Sequence, residues 1–263
     1  MSQWIKFAQN KENVYYLLSS AYASGDYKRC LADPSKMLKW GYFPELKKYD
    51  DIDSLISSKA KNSILWCARF IDWKHPETAV RIARRLKDEG YDFRMNMIGT
   101  GKMLTGIKSM IETNGLSECV YTPGPMSPEC VRQYMEQSEI FLFTSDRNEG
   151  WGAVLNESMN SACAVVASHA IGSVPFLLDN GNNGLIYVDG NEDELYSNVK
   201  KLLDDQNLRR RISHNAYLTV NGEWNAVKAT GKFIEISGSL LNKKEWKFFD
   251  NGPCSKAHIL EDS

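Results

Sequence analysis

FLFTSDRNEGWGAVLNESMNSACAVVASHAIGSVPF, residues 141–176, is the stretch whose reading decides the fold. It joins an apolar run fit for a buried strand, a polar turn with glycines, a helix, and a second apolar strand from Ala164 to Ala167. Glu149 closes the loop of Ser145, Asp146, Arg147 and Asn148, and Glu157 follows after seven residues. If the helix begins near Gly152, its first free N–H groups point back toward Glu149, and Glu157 projects about a turn further on. Such amides take anionic oxygen, and glycines let a ligand approach the backbone. Carboxylates beside a phosphate repel it unless they face another part of the same ligand. The pattern therefore favours a molecule that carries hydroxyls and phosphates together, such as a nucleotide-sugar. As isolated residues, Glu149 and Glu157 would read as a solvated loop acid and a surface helix residue.

Working outward, strands and helices alternate. Ser63–Ala68 is a buried-strand candidate, Arg69 opens a loop that holds Lys74, and Pro76 starts a helix with Ala79, Ile82, Ala83 and Leu86 on one face and Gly90 at its end. Phe93–Ile98, Val120–Thr122, Ile140–Thr144, Ala164–Ser168 and Leu185–Val188 complete six candidate strands, with helices expected over Lys102–Thr113, from Pro128, over Phe176–Asp179 and over Asp193–Leu203. This alternation predicts an α/β fold, a doubly wound parallel sheet with helices on both faces. Ligands of such sheets sit at the carboxyl ends of the strands. The Gly99-x-Gly101 pair lacks the third glycine of a dinucleotide fingerprint, since Leu104 stands there, and Gly101-Lys102 lacks the Ser or Thr of a P-loop, so both readings are rejected. Ahead of the sheet, Asn13–Ala23 reads as a helix and Glu45–Asn62 as a charged linker. Its Asp51-x-Asp53 triplet, without a buried strand before it, reads as solvated charge and not as a metal site.

The composition is that of a soluble globular protein: 263 residues, 43% apolar, 25% charged and a formal net charge of -1, with no basic footprint for nucleic acid. Arg81, Arg84, Arg85 and Lys87 cluster at helical spacing and read as a solvated face ahead of an anionic-membrane patch. The six cysteines show no C-x-x-C spacing and read as reduced thiols, and the four histidines are not paired as metal ligands. The start, MSQWIKFAQN, lacks the pattern of a signal peptide, and no apolar run approaches the roughly 18 residues of a spanning helix. A cytoplasmic protein is expected, either free or peripheral to the inner face of the membrane.

Residues 149–159, Glu-Gly-Trp-Gly-Ala-Val-Leu-Asn-Glu-Ser-Met, resemble the E-G-(W/F)-G-x-V-x-x-E-x-M signature of the retaining glycosyltransferases of family 4, the group 1 transferases built from two Rossmann-like halves (GT-B fold). Two positions depart from that pattern: Ala162, where a glycine usually follows the helix, and Phe176, where an acid usually follows the proline. The resemblance implies that residues 63–222 are the nucleotide-sugar-binding half, that 1–62 are a remnant of the acceptor side plus linker, most of that half being absent, and that 223–263 form a terminal helix and tail. It implies Arg69, Lys74 and Glu149 as catalytic residues. Met126, Gly150, Trp151, Gly152, Ala153, Val154 and Glu157 would bind the donor, with Arg69 and Lys74 on the diphosphate, Glu149 on the transferred sugar, Glu157 on the ribose and the backbone near Met126 on the base. No metal and no cofactor beyond a UDP- or GDP-linked donor are implied. With the acceptor half largely absent, three roles stand open: hexosyl transfer to a glycan or lipid-linked acceptor, alone or with a complementary acceptor chain or a second copy; donor binding without turnover; and a protein-interaction module that uses the aromatic tail (Trp224, Trp246, Phe248, Phe249) as an exposed docking patch.

Overall fold

The computed structural model describes residues 14–260. Among the described residues, eight strands form two sheets. A small parallel pair, β1 (Tyr16–Leu18) and β2 (Met37–Lys39), stands apart from a six-stranded parallel sheet of β3 (Ala60–Cys67), β4 (Arg94–Ile98), β5 (Val120–Gly124), β6 (Ser138–Phe143), β7 (Ala164–Ser168) and β8 (Leu185–Tyr187), in spatial order β5-β4-β3-β6-β7-β8. All neighbours in the large sheet are parallel, as the alternation of strands and helices requires. The chain builds outward from β3 to β5, then returns to the other side of β3 with β6. A crevice therefore opens between the carboxyl ends of β3 and β6.

Among the described residues, ten α-helices accompany these strands: α1 (Ala23–Arg29), α2 (Ile52–Ser58), α3 (Pro76–Asp88), α4 (Leu104–Thr113), α5 (Pro128–Gln137), α6 (Val154–Asn160), α7 (Val174–Leu177), α8 (Glu192–Asp204), α9 (Gln206–Gly222) and α10 (Ala226–Leu241). Strand residues alternate between the two faces of the sheet. Ile64, Trp66, Met95, Met97, Ile140 and Leu142 pack with α3, α4 and α8. Leu65, Phe141, Phe143, Val165 and Ala167 pack with α5, α6 and α9 on the other face. Burial on both faces explains why these strands read as nearly unbroken apolar runs.

Three expectations are corrected. Tyr16–Leu18 is a strand and not part of a helix; Tyr16 and Leu18 are buried with Leu17 outward between them, the period of a strand, and helix begins only at Ala23 (Asn13 lies outside the described residues). The linker contains helix α2, because Asp51 caps it by accepting from Ser54 N–H at 3.0 Å, and β3 then starts at Ala60, three residues before Ser63. The aromatic tail is packed within the chain: Trp224 stacks on Phe176, Trp246 meets Tyr15 and Phe248, and Trp246, Phe248 and Phe249 cluster with Leu38, Trp40 and Ile236. Exposed apolar surface lies instead on α10, where Val227, Ile234 and Leu241 repeat every seven residues on the side away from buried Ala229 and Ile236.

Charged groups of these runs pair with nearby partners. Asp53 pairs with Arg210 at 3.0 Å, Arg84 with Asp88 at 2.8 Å and Arg85 with Asp193 at 2.7 Å, while Arg81 holds Glu192 and Lys87 the Gly115 carbonyl. Ala162 takes φ +51°, the left-handed turn for which glycine is the easier residue.

Candidate active site at the crevice

Two exit loops meet at the crevice, and Thr144 joins them. Its hydroxyl accepts from the buried Trp66 indole N–H at 2.8 Å and donates to the Lys74 carbonyl at 2.7 Å. Asp146 N–H adds a bond to the Trp73 carbonyl at 3.0 Å. Lys74 ends a short 3-10 turn over Asp72–Lys74, and its ammonium is in contact with the Glu149 carboxylate. The two side chains are only 11% and 14% exposed, so this is a largely desolvated pair. Burial first, and the Arg69 charge second, push the Lys74 ammonium down to about 8, with Cys67 and Asp146 opposing them. Arg69 itself lies over the Trp73 ring, its guanidinium carbon 5.5 Å from the centroid.

Next to Lys74 is His75, a residue that pattern reading passes over. Its backbone is left-handed, at φ +48°, and its ring nitrogens lie 3.2 Å from Glu77 and 3.3 Å from Asp146. It thus tethers the β3 exit to the β6 exit a second time. Nothing in the local sequence signals this, because Asp146 is far away along the chain.

On the β6 side, Glu149 N–H bonds to the Asp146 carbonyl at 3.0 Å, its carboxylate accepts from Ser145 Oγ at 3.3 Å, and its carbonyl accepts from Gly172 N–H at 2.9 Å. Gly152 has φ +76°, and a Cβ there would run into the Phe143 ring. That close approach starts α6: Leu155 N–H bonds to Gly152 carbonyl at 2.9 Å, which leaves the N–H groups of Gly152, Ala153 and Val154 ahead of the helical ladder. Gly150, Gly152, Ala153 and Val154 keep solvent access. Trp151 does not. Its side chain is buried against Trp224 and Phe176, and its indole N–H bonds to Asn156 at 2.9 Å. Its side chain is therefore a core anchor for the turn, a correction to its reading as a donor contact, and its carbonyl accepts from the buried Ser173 hydroxyl.

Beyond the turn lies a cavity of about 810 Å³ between α5, α6 and the segment Pro44–Lys47, lined by Cys67, Met126, Val154 and Glu157 among others. Burial pushes the Glu157 carboxyl up, and Arg132 opposes that shift. Cys67, at the end of β3, borders this cavity and lies within electrostatic reach of both Glu157 and Lys74; its thiol is pushed up to about 12, chiefly by burial. The structure thus gathers the expected residues at one sheet edge but in two groups. Arg69, Lys74 and Glu149 form a charged cluster, Met126, Val154 and Glu157 border the cavity, and Cys67 together with the 150–153 turn connects them. Among the described residues, no cluster of His, Cys, Asp and Glu has the arrangement of a metal site, and no helix is long and apolar enough to cross a membrane.

Comparison with known proteins places this geometry in context. Residues 48–219 match the sequence model of the family described as glycosyl transferases, group 1. The chain is 27% identical over 203 residues to an uncharacterized glycosyltransferase of Methanocaldococcus jannaschii, covering 75% of this chain and 51% of that protein. It is 29% identical over 153 residues to the alpha-D-kanosaminyltransferase of Streptomyces kanamyceticus, covering 58% of this chain and 39% of that protein. The chain therefore spans about half or less of these curated relatives. Among solved structures, Anabaena HepE in complex with UDP superposes with a TM-score of 0.72 at 17% identity, over 86% of this chain and 64% of that one. The fold is that of the GT-B glycosyltransferases.

Proposed function

The chain belongs to the group 1 glycosyl transferases, whose pattern it matches across the whole six-stranded sheet, and from that premise we propose that it is the donor-binding half of a retaining, family 4 transferase moving a hexosyl group from a UDP- or GDP-sugar. One observation carries this reading: the Lys74–Glu149 pair stands at the mouth of the β3–β6 crevice, beside Arg69 and the leading amides of α6. Sugar transfer lengthens the bond to the anomeric carbon, so negative charge grows on the departing diphosphate and positive charge on the ring. Arg69, Lys74 and the Gly152–Val154 amides meet the departing charge without a metal, and each such preorganised donor is worth roughly 3–4 kcal/mol.

In the ligand-free protein Glu149 neutralises Lys74. A diphosphate takes over that ammonium and releases the carboxylate toward the hydroxyls of the transferred sugar. Glu157 receives the ribose hydroxyls, and the backbone near Met126 meets the base. The cavity wall supports this division, because it mixes Glu45, Glu129, Glu136 and Glu157 with Lys47 and Arg132 and so suits a neutral, hydroxyl-bearing nucleoside better than an anion. Acceptor chemistry belongs to the other half of a two-domain enzyme, on a glycan or lipid-linked sugar. The relatives include an amylovoran biosynthesis glycosyltransferase of Erwinia amylovora.

Donor binding without turnover is the second reading. Calorimetric titration of UDP- and GDP-sugars into wild type and Lys74→Ala tests both. Binding weakened at least tenfold by Lys74→Ala supports the donor site; sugar transfer to an added acceptor separates enzyme from binder. No heat with any nucleotide refutes the proposal.

A further inference from the structure

Arg132, on α5, is not part of the motif that identified the site, yet it ties together three of the parts that enclose the cavity. Its guanidinium donates to Asn160 Oδ1 at 2.8 Å and to the Glu45 carbonyl at 3.1 Å. Asn160 is fully buried on α6, three residues after Glu157, and clasps the strap from the other side: Lys47 N–H donates to its Oδ1 at 2.8 Å, and its Nδ2 donates to the Lys47 carbonyl at 2.9 Å. The strap, Pro44–Lys47, is held further by Lys47 pairing with Glu136 at 2.7 Å, and Tyr49 just beyond it bonds the same carboxylate at 2.7 Å. Glu45, Lys47, Arg132 and Glu157 all border the one cavity. A buried amide devoted to an extended segment makes sense when that segment has to hold a shape.

We propose that Arg132 is a positioning residue of the nucleoside pocket: its planar fork fastens the strap as a wall of the cavity, and its guanidinium borders that cavity together with Glu157. This rests on the donor-binding reading above. The guanidinium suits both tasks, since it is permanently charged and its donors are fixed in one plane. The charged and titratable groups bordering the cavity with Glu157 are Cys67 at the end of β3, Glu45 and Lys47 on the strap, and Glu129, Arg132 and Glu136 on α5. Lys47 is already paired with Glu136, which leaves Arg132 as the cation acting on Glu157.

Two variants separate the two tasks. UDP and GDP binding is followed by calorimetry between pH 5 and 8 in wild type, R132Q and R132K. Loss of charge in R132Q raises the pH below which nucleotide binding falls away, because Glu157 protonates sooner on acidification. R132K keeps that midpoint near wild type but weakens binding about threefold to tenfold at every pH, because the fork is gone and the strap loosens. A merely structural arginine would lower affinity without moving the midpoint. R132Q that binds with the wild-type midpoint, or R132K that binds as tightly as wild type, overturns the corresponding half of the inference. If R132Q does not fold, R132K with wild-type affinity still overturns the strap's role. Wild type that binds neither nucleotide refutes the donor-binding reading itself, a result distinct from either of these.

Discussion

Glu149→Gln probes the charged cluster most sharply, because the donor-binding reading fixes the sign of a counter-intuitive effect. The Lys74–Glu149 pair is largely desolvated, and removing one partner of such a pair costs about 3–5 kcal/mol. Lys74→Met, which strands a buried carboxylate, should lose that full amount, roughly 6–20 °C in Tm for a domain of this size. Glu149→Gln keeps a hydrogen-bonding oxygen beside the ammonium and should lose less, while the double variant Lys74→Met/Glu149→Gln should recover most of the single Lys74 loss. Binding behaves differently. If Glu149 competes with the diphosphate for Lys74, removing its charge tightens UDP binding by about fivefold to tenfold, corresponding to ~1–1.4 kcal/mol, while sugar transfer is lost. Burial and the Arg69 charge push the Lys74 ammonium of the wild type down to about 8. UDP affinity of the wild type should therefore fall as the pH rises from 7 to 9, through deprotonation of Lys74, and that of Glu149→Gln, which lacks the neighbouring anion, should fall from a lower pH. Thermal unfolding and UDP calorimetry at pH 7 and 9 read all of these effects. Weaker UDP binding by Glu149→Gln at pH 7 would refute the exchange of partners at Lys74.

Other expectations follow from single contacts. Buried Lys59 donates to the carbonyls of Met135, Glu136, Ser138 and Ser161, tying the ends of α5 and α6 to β6, so Lys59→Met should lose about 3 kcal/mol by urea unfolding. Gly152→Ala places a Cβ against Phe143 at a left-handed φ, which should cost about 1–3 kcal/mol and displace the α6 amides, abolishing UDP binding in a protein that still folds. Thiol alkylation at pH 8 should label exposed Cys30 and Cys130 first and leave Cys67 unmodified, since burial holds its thiol near 12; mass spectrometry of short reactions checks the order.

The sheet was legible because its strands are buried on both faces and its helices carry clear starts, such as Pro76 and Pro128. Residues 14–22 misled because Tyr15, Tyr16, Leu17 and Leu18 satisfy helical and strand periods alike over so short a span. Helix α2 was hidden in a charged run whose cap, Asp51, reads there as one more solvated acid. Trp151 was legible as part of a motif but not as a core residue, because its aromatic partners Phe176 and Trp224 come from distant segments. His75, Thr144, Arg132 and Asn160 act through contacts between loops and helices far apart in the chain. No spacing rule reaches them.

The order of the strands has one more consequence. A cut between β5 and β6 would send Arg69, Lys74 and Met126 away on one fragment and Glu149, the α6 amides and Glu157 on the other. Neither piece could grip a dinucleotide-sized molecule by itself, so any ligand lodged there bridges the central seam of the sheet and resists its parting. Bound UDP at one hundred times its Kd would add about 2.7 kcal/mol against unfolding, felt first where β3 lies against β6.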